Sequence, residues 1–336
     1  MTEAELDELL SAPRKETLDA LRECPGDVVV LGAGGKMGPT LATMVARASR
    51  EIDDRKVFAV SRFSSRRAEE ALRDAGVETV QCDLLDATAV ARLPDAPNVI
   101  YMAGQKFGTS DAPAVTWAMN TAVPTHCAER YRGAAIVAFS TGNVYPLVPV
   151  SSGGAREEHA LGPVGEYAAS CVGRERLFEF FARGDGTRVS IVRLNYAIDL
   201  RYGVLTDLAL KVRRGVPIAL AMGYVNVIWQ GDANRLAIES LARASSPPFV
   251  VNVTGIETLS VRLLAEGLGA RLGREPVFAG EEGADALLSD TTRMQELFTP
   301  PEMSLERMLD LVSSWVANDA PLLDKPTHFE TRDGKF

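Results

Sequence analysis

The chain has 336 residues, room for one large domain or two ordinary ones, and its 46% hydrophobic and 24% charged residues are the composition of a globular protein rather than a disordered one. Thirty-six Lys and Arg against 45 Asp and Glu leave a net charge of −9, which argues against a nucleic-acid-binding surface. The longest apolar runs are strand-sized and the N-terminus is acidic, so neither a membrane span nor a signal peptide is expected, and the cytoplasm is the expected compartment.

Residues 3–24 read as helix, with Leu6, Leu9, Leu10, Leu18 and Leu21 forming an apolar stripe broken near Pro13, a packing or dimerising prefix. Residues 27–31 then read as a buried strand, and a glycine turn leads into a helix over 40–50. The alternation continues with strands at 57–60, 78–82, 99–102, 134–140 and 189–194, and helices at 65–74, 114–131 and 167–183. Alternating strand and helix implies a Rossmann-type α/β fold, a doubly wound parallel sheet covered on both faces. Periodicity weakens through residues 203–230, and helices at 260–272 and 304–315 follow a second irregular stretch. The expected organisation is therefore a prefix over 1–24, a Rossmann domain over 25–200 with 225–254 returning to it, and a smaller interleaved substrate lobe from 201–224 and 255–318. Two prolines and many charges in residues 319–336 read as an exposed tail.

Cys24, Cys82, Cys127 and Cys171 lack paired spacing, and only His126, His159 and His328 accompany them, so no metal site is expected. His126 and Cys127 are adjacent on a helix and do not face one another, which makes Cys127 a packing thiol.

The sharpest local signal is Gly32-Ala33-Gly34-Gly35-Lys36-Met37-Gly38, with glycines first, fourth and seventh between an apolar strand and a helix. The first permits a tight turn, the middle one lets backbone approach a diphosphate, and the last allows close helix packing, while unsatisfied N–H groups meet the anion. Pro39 follows in the first helical turn, where its missing N–H costs nothing. A site for NAD usually carries an acidic residue at the end of the second strand, and here that end reads Ser61-Arg62. With no carboxylate to repel a 2′-phosphate, and with Arg62 supported by Arg66 and Arg67, NADP is favoured over NAD.

With these motifs in place the chain resembles the extended short-chain dehydrogenase/reductases, the NAD-dependent epimerase/dehydratase group that acts largely on nucleotide sugars. The likeness runs from about Val28 to Trp315. Asp83-Leu84 resembles the group's adenine-contacting pair, Ala103-Gly104 its fourth-strand turn beside the cofactor, and Asn120 its helix Asn. In Phe139-Ser140-Thr141-Gly142-Asn143-Val144-Tyr145, the resemblance makes Thr141 the hydroxyl that contacts the reacting oxygen, with Asn143 orienting substrate. Glu157, Glu158 and Pro163 precede Tyr167 as the group's Glu and Pro precede its catalytic Tyr. The stretches from Val227 to Asp232 and from Asn252 to Gly255 match later landmarks. Members often pair through the helices corresponding to 114–131 and 167–183, so the resemblance leaves a homodimer open alongside a monomer.

Two departures stand out. The resemblance calls for Tyr-x-x-x-Lys, and the chain has Tyr167-Ala168-Ala169-Ser170-Cys171. A phenol of pKa near 10 needs about 4 kcal/mol of anion stabilisation to act as a base near neutral pH, and a neutral thiol supplies none. Three compensations are open: the charge of an oxidised nicotinamide, Arg174 seven residues on but about 10 Å farther along the helix axis, or use of Tyr167 only as an acid, which suits reduction. The second departure is at Arg193-Leu194-Asn195-Tyr196, where Tyr196 replaces an expected Asn and Asn195 is displaced or structural. Lys211, Arg213 and Arg214 face either a substrate phosphate or solvent.

Two functions follow. The first is an NAD(P)-dependent oxidoreductase or epimerase acting on a hydroxyl or carbonyl of a sugar, nucleotide sugar or sugar-like acid, with Thr141 and Tyr167 catalytic. The second is a dinucleotide-binding sensor or partner protein without turnover, because the lysine is absent.

Overall fold

The computed structural model describes residues 1–336 apart from positions 54, 107, 109, 110, 185, 326 and 336. Seven strands form one parallel sheet: β1 (Val28–Leu31), β2 (Val57–Ser61), β3 (Glu78–Gln81), β4 (Asn98–Tyr101), β5 (Ala135–Thr141), β6 (Arg188–Leu194) and β7 (Phe249–Val253). Their spatial order is β3-β2-β1-β4-β5-β6-β7. The central strands are apolar at nearly every position because both faces are covered: Val28 and Val30 enter one core, Val29 and Leu31 the other. The doubly wound α/β expectation is met. Strand order reverses between β1 and β4, and ligands of open α/β sheets bind outside the carboxyl ends of strands at such a point. Register aligns those ends: Leu31 pairs with Tyr101, and Thr141 with Leu194.

The prefix forms α1 (Glu3–Leu10) and α2 (Lys15–Glu23), the first opened by a capping box between Thr2 and Glu5. Leu6 and Leu10 are fully buried in the core of the smaller lobe, and Leu21 in a core of the sheet. The prefix thus packs within its own chain. After β1 comes α3 (Gly38–Arg50), and after β2 comes α4 (Arg66–Asp74). The helix expected over 114–131 is split into α5 (Pro113–Trp117) and α6 (Val123–Arg130) by a π turn, Ala118–Ala122, which carries Asn120. The long α7 (Gly165–Gly184) carries Tyr167, and Gly165 enters it at φ 82°.

In the smaller lobe α8 (Val204–Arg214), α10 (Val261–Leu272) and α11 (Leu305–Ala317) share one apolar core, while α9 (Gln230–Glu239) packs back on the sheet. Among the described residues no helix is long and apolar enough to cross a membrane.

The expected exposed tail is corrected by the structure; positions 326 and 336 of it lie outside the described residues. Phe329 is buried in the core of the smaller lobe. Thr327 donates from its backbone N–H and its hydroxyl to Asp207 Oδ2, at 2.8 and 2.6 Å. Glu330 pairs with Lys211, and Arg332 donates to the carbonyls of Ala221 and Asp285 at 2.8 and 3.0 Å. Composition suggested solvation, but these charged and polar groups have partners on the lobe, which only the tertiary fold supplies.

Candidate active site

The glycine turn sits at the switch point. Gly32 has φ 88°, and a Cβ there would lie 2.6 Å from the Ala103 amide nitrogen. A Cβ at Gly38 would strike the Ala33 carbonyl, and one at Gly34 the Ser61 hydroxyl. Gly35 differs: a Cβ there would meet only the Gly32 carbonyl, at 3.4 Å, so its open side faces the cleft. Close packing therefore explains three of the glycines, and space for a ligand explains the fourth.

The cleft beside this turn has a volume of about 380 Å³. It brings together Gly32, Gly35, Lys36, Met37 and Gly38 with Gly104 after β4, Thr141 at the end of β5 and Asn143 beyond it, Tyr167 on α7, and Asn195 and Tyr196 after β6. Ala103 lies buried beneath Gly32 rather than in the wall. Ser61 ends β2, and Arg62, Asp83 and Leu84 follow β2 and β3 farther along the sheet edge, outside the cleft. Arg66 and Arg67 are paired with Glu70 and Glu3 at 2.8 and 3.1 Å.

Thr141 closes β5, and its hydroxyl accepts from Asn143 N–H at 3.2 Å. The Tyr167 hydroxyl is hydrogen-bonded to the side chains of Thr141 and Cys171. Burial, followed by the Cys171 thiol, pushes the Tyr167 phenol well above its ordinary range, while Arg174 and the Thr141 hydrogen bond pull the other way. Burial likewise raises the Cys171 thiol, so position 171 carries no charge near neutral pH.

Asn120 does not line the cleft. It is fully buried behind it, donating to the Gln105 carbonyl at 3.1 Å and Ser170 Oγ at 2.9 Å, and accepting from Gln105 N–H at 3.0 Å and from Arg174. Its position fixes the loop after β4 against α7. Tyr145 also lies behind the site, where its hydroxyl donates to Asn252 Oδ1 at 2.9 Å. Asn195 is held by the carbonyls of Val253 and Leu287 at 3.0 and 3.3 Å. Tyr196 adopts φ 41°, an uncommon conformation for a bulky residue and one that clusters at functional sites. None of Lys211, Arg213 and Arg214 lines the cleft: Lys211 pairs with Glu330 of the tail, Arg213 with Asp319 at the surface, and Arg214 is exposed, as a solvated charged face requires.

Gln230 enters the cleft from the Val227–Asp232 stretch, and several lining residues escape a reading of the sequence: Lys106, Tyr202, and Lys325 and Thr327 of the tail. Only Lys106 had a local signal, two residues beyond Gly104. Lys36 sits over the Tyr202 ring, 3.1 Å from its centroid. Burial, then the charges of Lys106 and Lys325, lowers Lys36 to about 6, and burial lowers Lys106 to about 8.

The fold recurs in solved structures of low identity. MoeE5 in complex with UDP-glucose and NAD is 19% identical, with a TM-score of 0.71 over 88% of this chain and 99% of that one. The UDP-glucose 4-epimerase of Thermotoga maritima with UDP-glucose is 20% identical, with a TM-score of 0.71 over 87% and 99%. The UDP-Glc/GlcNAc 4-epimerase of Campylobacter jejuni is 19% identical, with a TM-score of 0.72 over 87% and 99%. Among curated proteins no relative matches the chain. A family model described as the NAD dependent epimerase/dehydratase family matches residues 28–201, more than half of the sequence and all of the glycine turn, Thr141 and Tyr167, and the chain belongs to that family of enzymes.

Proposed function

We propose that this protein binds a nicotinamide dinucleotide along the Gly32–Gly38 turn and interconverts a hydroxyl and a carbonyl on a nucleotide sugar. The observation that carries this reading is the meeting of Thr141 and Tyr167 with the open side of Gly35 in one cleft. The residues fit the cofactor: a Cβ at Gly35 would occupy the face where a diphosphate rests, and Gly104 and Tyr167 border the space beyond it. When bound, the nicotinamide supplies hydride chemistry. Thr141 hydrogen-bonds the reacting oxygen, Tyr167 exchanges its proton, and Asn143, Asn195 and Tyr196 border the substrate. A phenol held in its neutral form donates a proton more readily than it accepts one, which favours carbonyl reduction. The UDP-sugars in the solved relatives named above support the nucleotide-sugar class. A homodimer through α5 and α7 belongs to the same reading, supported by exposed Val115, Trp117 and Phe180.

NADP is the preferred dinucleotide in this reading, through Ser61 and the exposed Arg62. Thermal unfolding tests it, because a ligand at a hundredfold excess over its Kd stabilises by about 2.7 kcal/mol. NADP is expected to raise Tm more than NAD at equal concentration, and Ser61→Asp with Arg62→Ala to reverse the order. Equal shifts, or a larger one with NAD in the parent chain, contradict the preference.

Lys36 gives a second expected result. At about 6 its ammonium is largely deprotonated near neutral pH, and an arriving diphosphate favours the charged form. Dinucleotide binding should therefore take up a proton, and the uptake should disappear in Lys36→Met. Calorimetry in buffers of different ionisation enthalpy measures it; proton release, or uptake unchanged in the variant, contradicts the assignment.

A further inference from the structure

Helical spacing sets the Arg174 backbone well back from Tyr167, yet side chains on a helix lean toward its N-terminus and an arginine is long. The Arg174 guanidinium uses that reach. Nη1 donates to the Phe139 carbonyl at 3.0 Å, two residues before Thr141, and Nη2 donates to Asn120 Oδ1. Gly104 leaves room for it, since a Cβ there would fall on Nη2.

Arg174 is 5% exposed, and its hydrogen-bond partners are neutral oxygens. Among the described residues no carboxylate lies within ion-pairing distance of it, and its Nε has no hydrogen-bond partner. The adjacent Glu175 is committed to Arg193, which reaches it at 2.7 and 3.0 Å. Burying a cation without a counter-ion is costly, and an apolar side chain would fill this space at lower cost. The charge acts on Cys171, Tyr101 and Tyr167, and less on the Glu175 carboxylate, which Arg193 already holds.

We propose that Arg174 is a positioning residue whose buried charge takes the place of a cation at position 171 and readies Tyr167 to exchange its proton. The assignment rests on Tyr167 as the proton-exchanging group. Acting on that phenol are Cys171 and Arg174 of its own helix and Thr141 of β5; Tyr101 of β4 and Glu175 act on Arg174, and Lys36, Lys106 and Lys325 share the cleft with Tyr167. Of the influences that draw the phenol down, Arg174 is the largest; Lys106 acts on the Cys171 thiol.

The test uses the full chain without cofactor or substrate. Tetrafluorotyrosine at position 167, whose four ring fluorines make the phenol far more acidic and offset the upward pull of burial, is followed by fluorine NMR. Arg174→Gln retains a donor for Asn120 without the charge, Arg174→Lys retains the charge without the fork, and Arg174→Met retains neither. The midpoint is expected to rise by about one pH unit or more in the Gln and Met variants, a tenfold loss of phenolate, and to stay well inside that shift in the Lys variant. Should the Met variant fail to fold, the comparison of Gln with Lys decides. A purely structural arginine would make Gln and Lys alike; that result, an unmoved midpoint in Arg174→Gln, or a larger rise in Lys106→Met, overturns the proposal. Because no ligand is present, failure here leaves the dinucleotide reading standing, and failure of dinucleotide binding leaves this measurement interpretable.

Discussion

Tyr167→Phe is expected to lower turnover of a UDP-sugar by about two to four orders of magnitude, the usual contribution of a positioned proton donor, while dinucleotide-induced stabilisation stays nearly unchanged. The substitution removes one hydroxyl. Its ring remains at the cleft wall, and the surfaces of the glycine turn and Gly104 are untouched. Thr141→Ala should lose less, because Thr141 orients the reacting oxygen and Tyr167 carries the proton. Product formation in steady state and thermal shift with dinucleotide separate the two effects. A Tyr167→Phe variant that retains full turnover would place the chemistry elsewhere; one that loses dinucleotide stabilisation would mean that the hydroxyl also holds the cofactor.

Glu175→Ala should produce the largest loss of stability, about 3–5 kcal/mol, the cost of leaving a buried charge uncompensated. Glu175 and Arg193 are 3% and 5% exposed, on α7 and β6, and join through two hydrogen bonds of 2.7 and 3.0 Å. Ser140, next to Thr141, also donates to Glu175. Arg193 in turn donates to the Tyr145 hydroxyl at 2.6 Å and the Glu157 carbonyl at 3.0 Å, and Glu157 accepts from Asn252 N–H at 2.8 Å. One ion pair thus ties α7, β5, β6 and β7 together behind the site. Replacing both partners, Glu175→Leu with Arg193→Met, should cost less than Glu175→Ala alone, since no lone charge remains. Denaturant unfolding measures both. A loss under about 1 kcal/mol for Glu175→Ala would show the pair to be solvated in solution.

Six of the seven strands were legible: the central ones are continuous apolar runs with two-sided burial, and β3, Glu78–Gln81, followed from the alternation, whereas β7 was not read as a strand. The glycine turn was legible for the same reason, its flanks naming its place. Asn120 misled because the motif gives the residue but not its direction: the π turn aims it at Gln105, Ser170 and Arg174, away from the cleft. Axial spacing measures backbone separation only, whereas the Arg174 side chain leans toward the helix N-terminus and reaches the Phe139 carbonyl and Asn120. The tail was misread because Asp207, Lys211 and Ala221 lie more than a hundred residues before their partners in it. No local rule registers such pairings. Lys325 and Thr327 reach the cleft by the same route.

Crystals grown with NADP test the central claim most directly. Density for a diphosphate against the backbone of Gly32–Gly38, with the nicotinamide ring beside Thr141 and Tyr167, is the expected result. A glycine turn left bare, with the dinucleotide absent or bound elsewhere on the surface, would contradict the account.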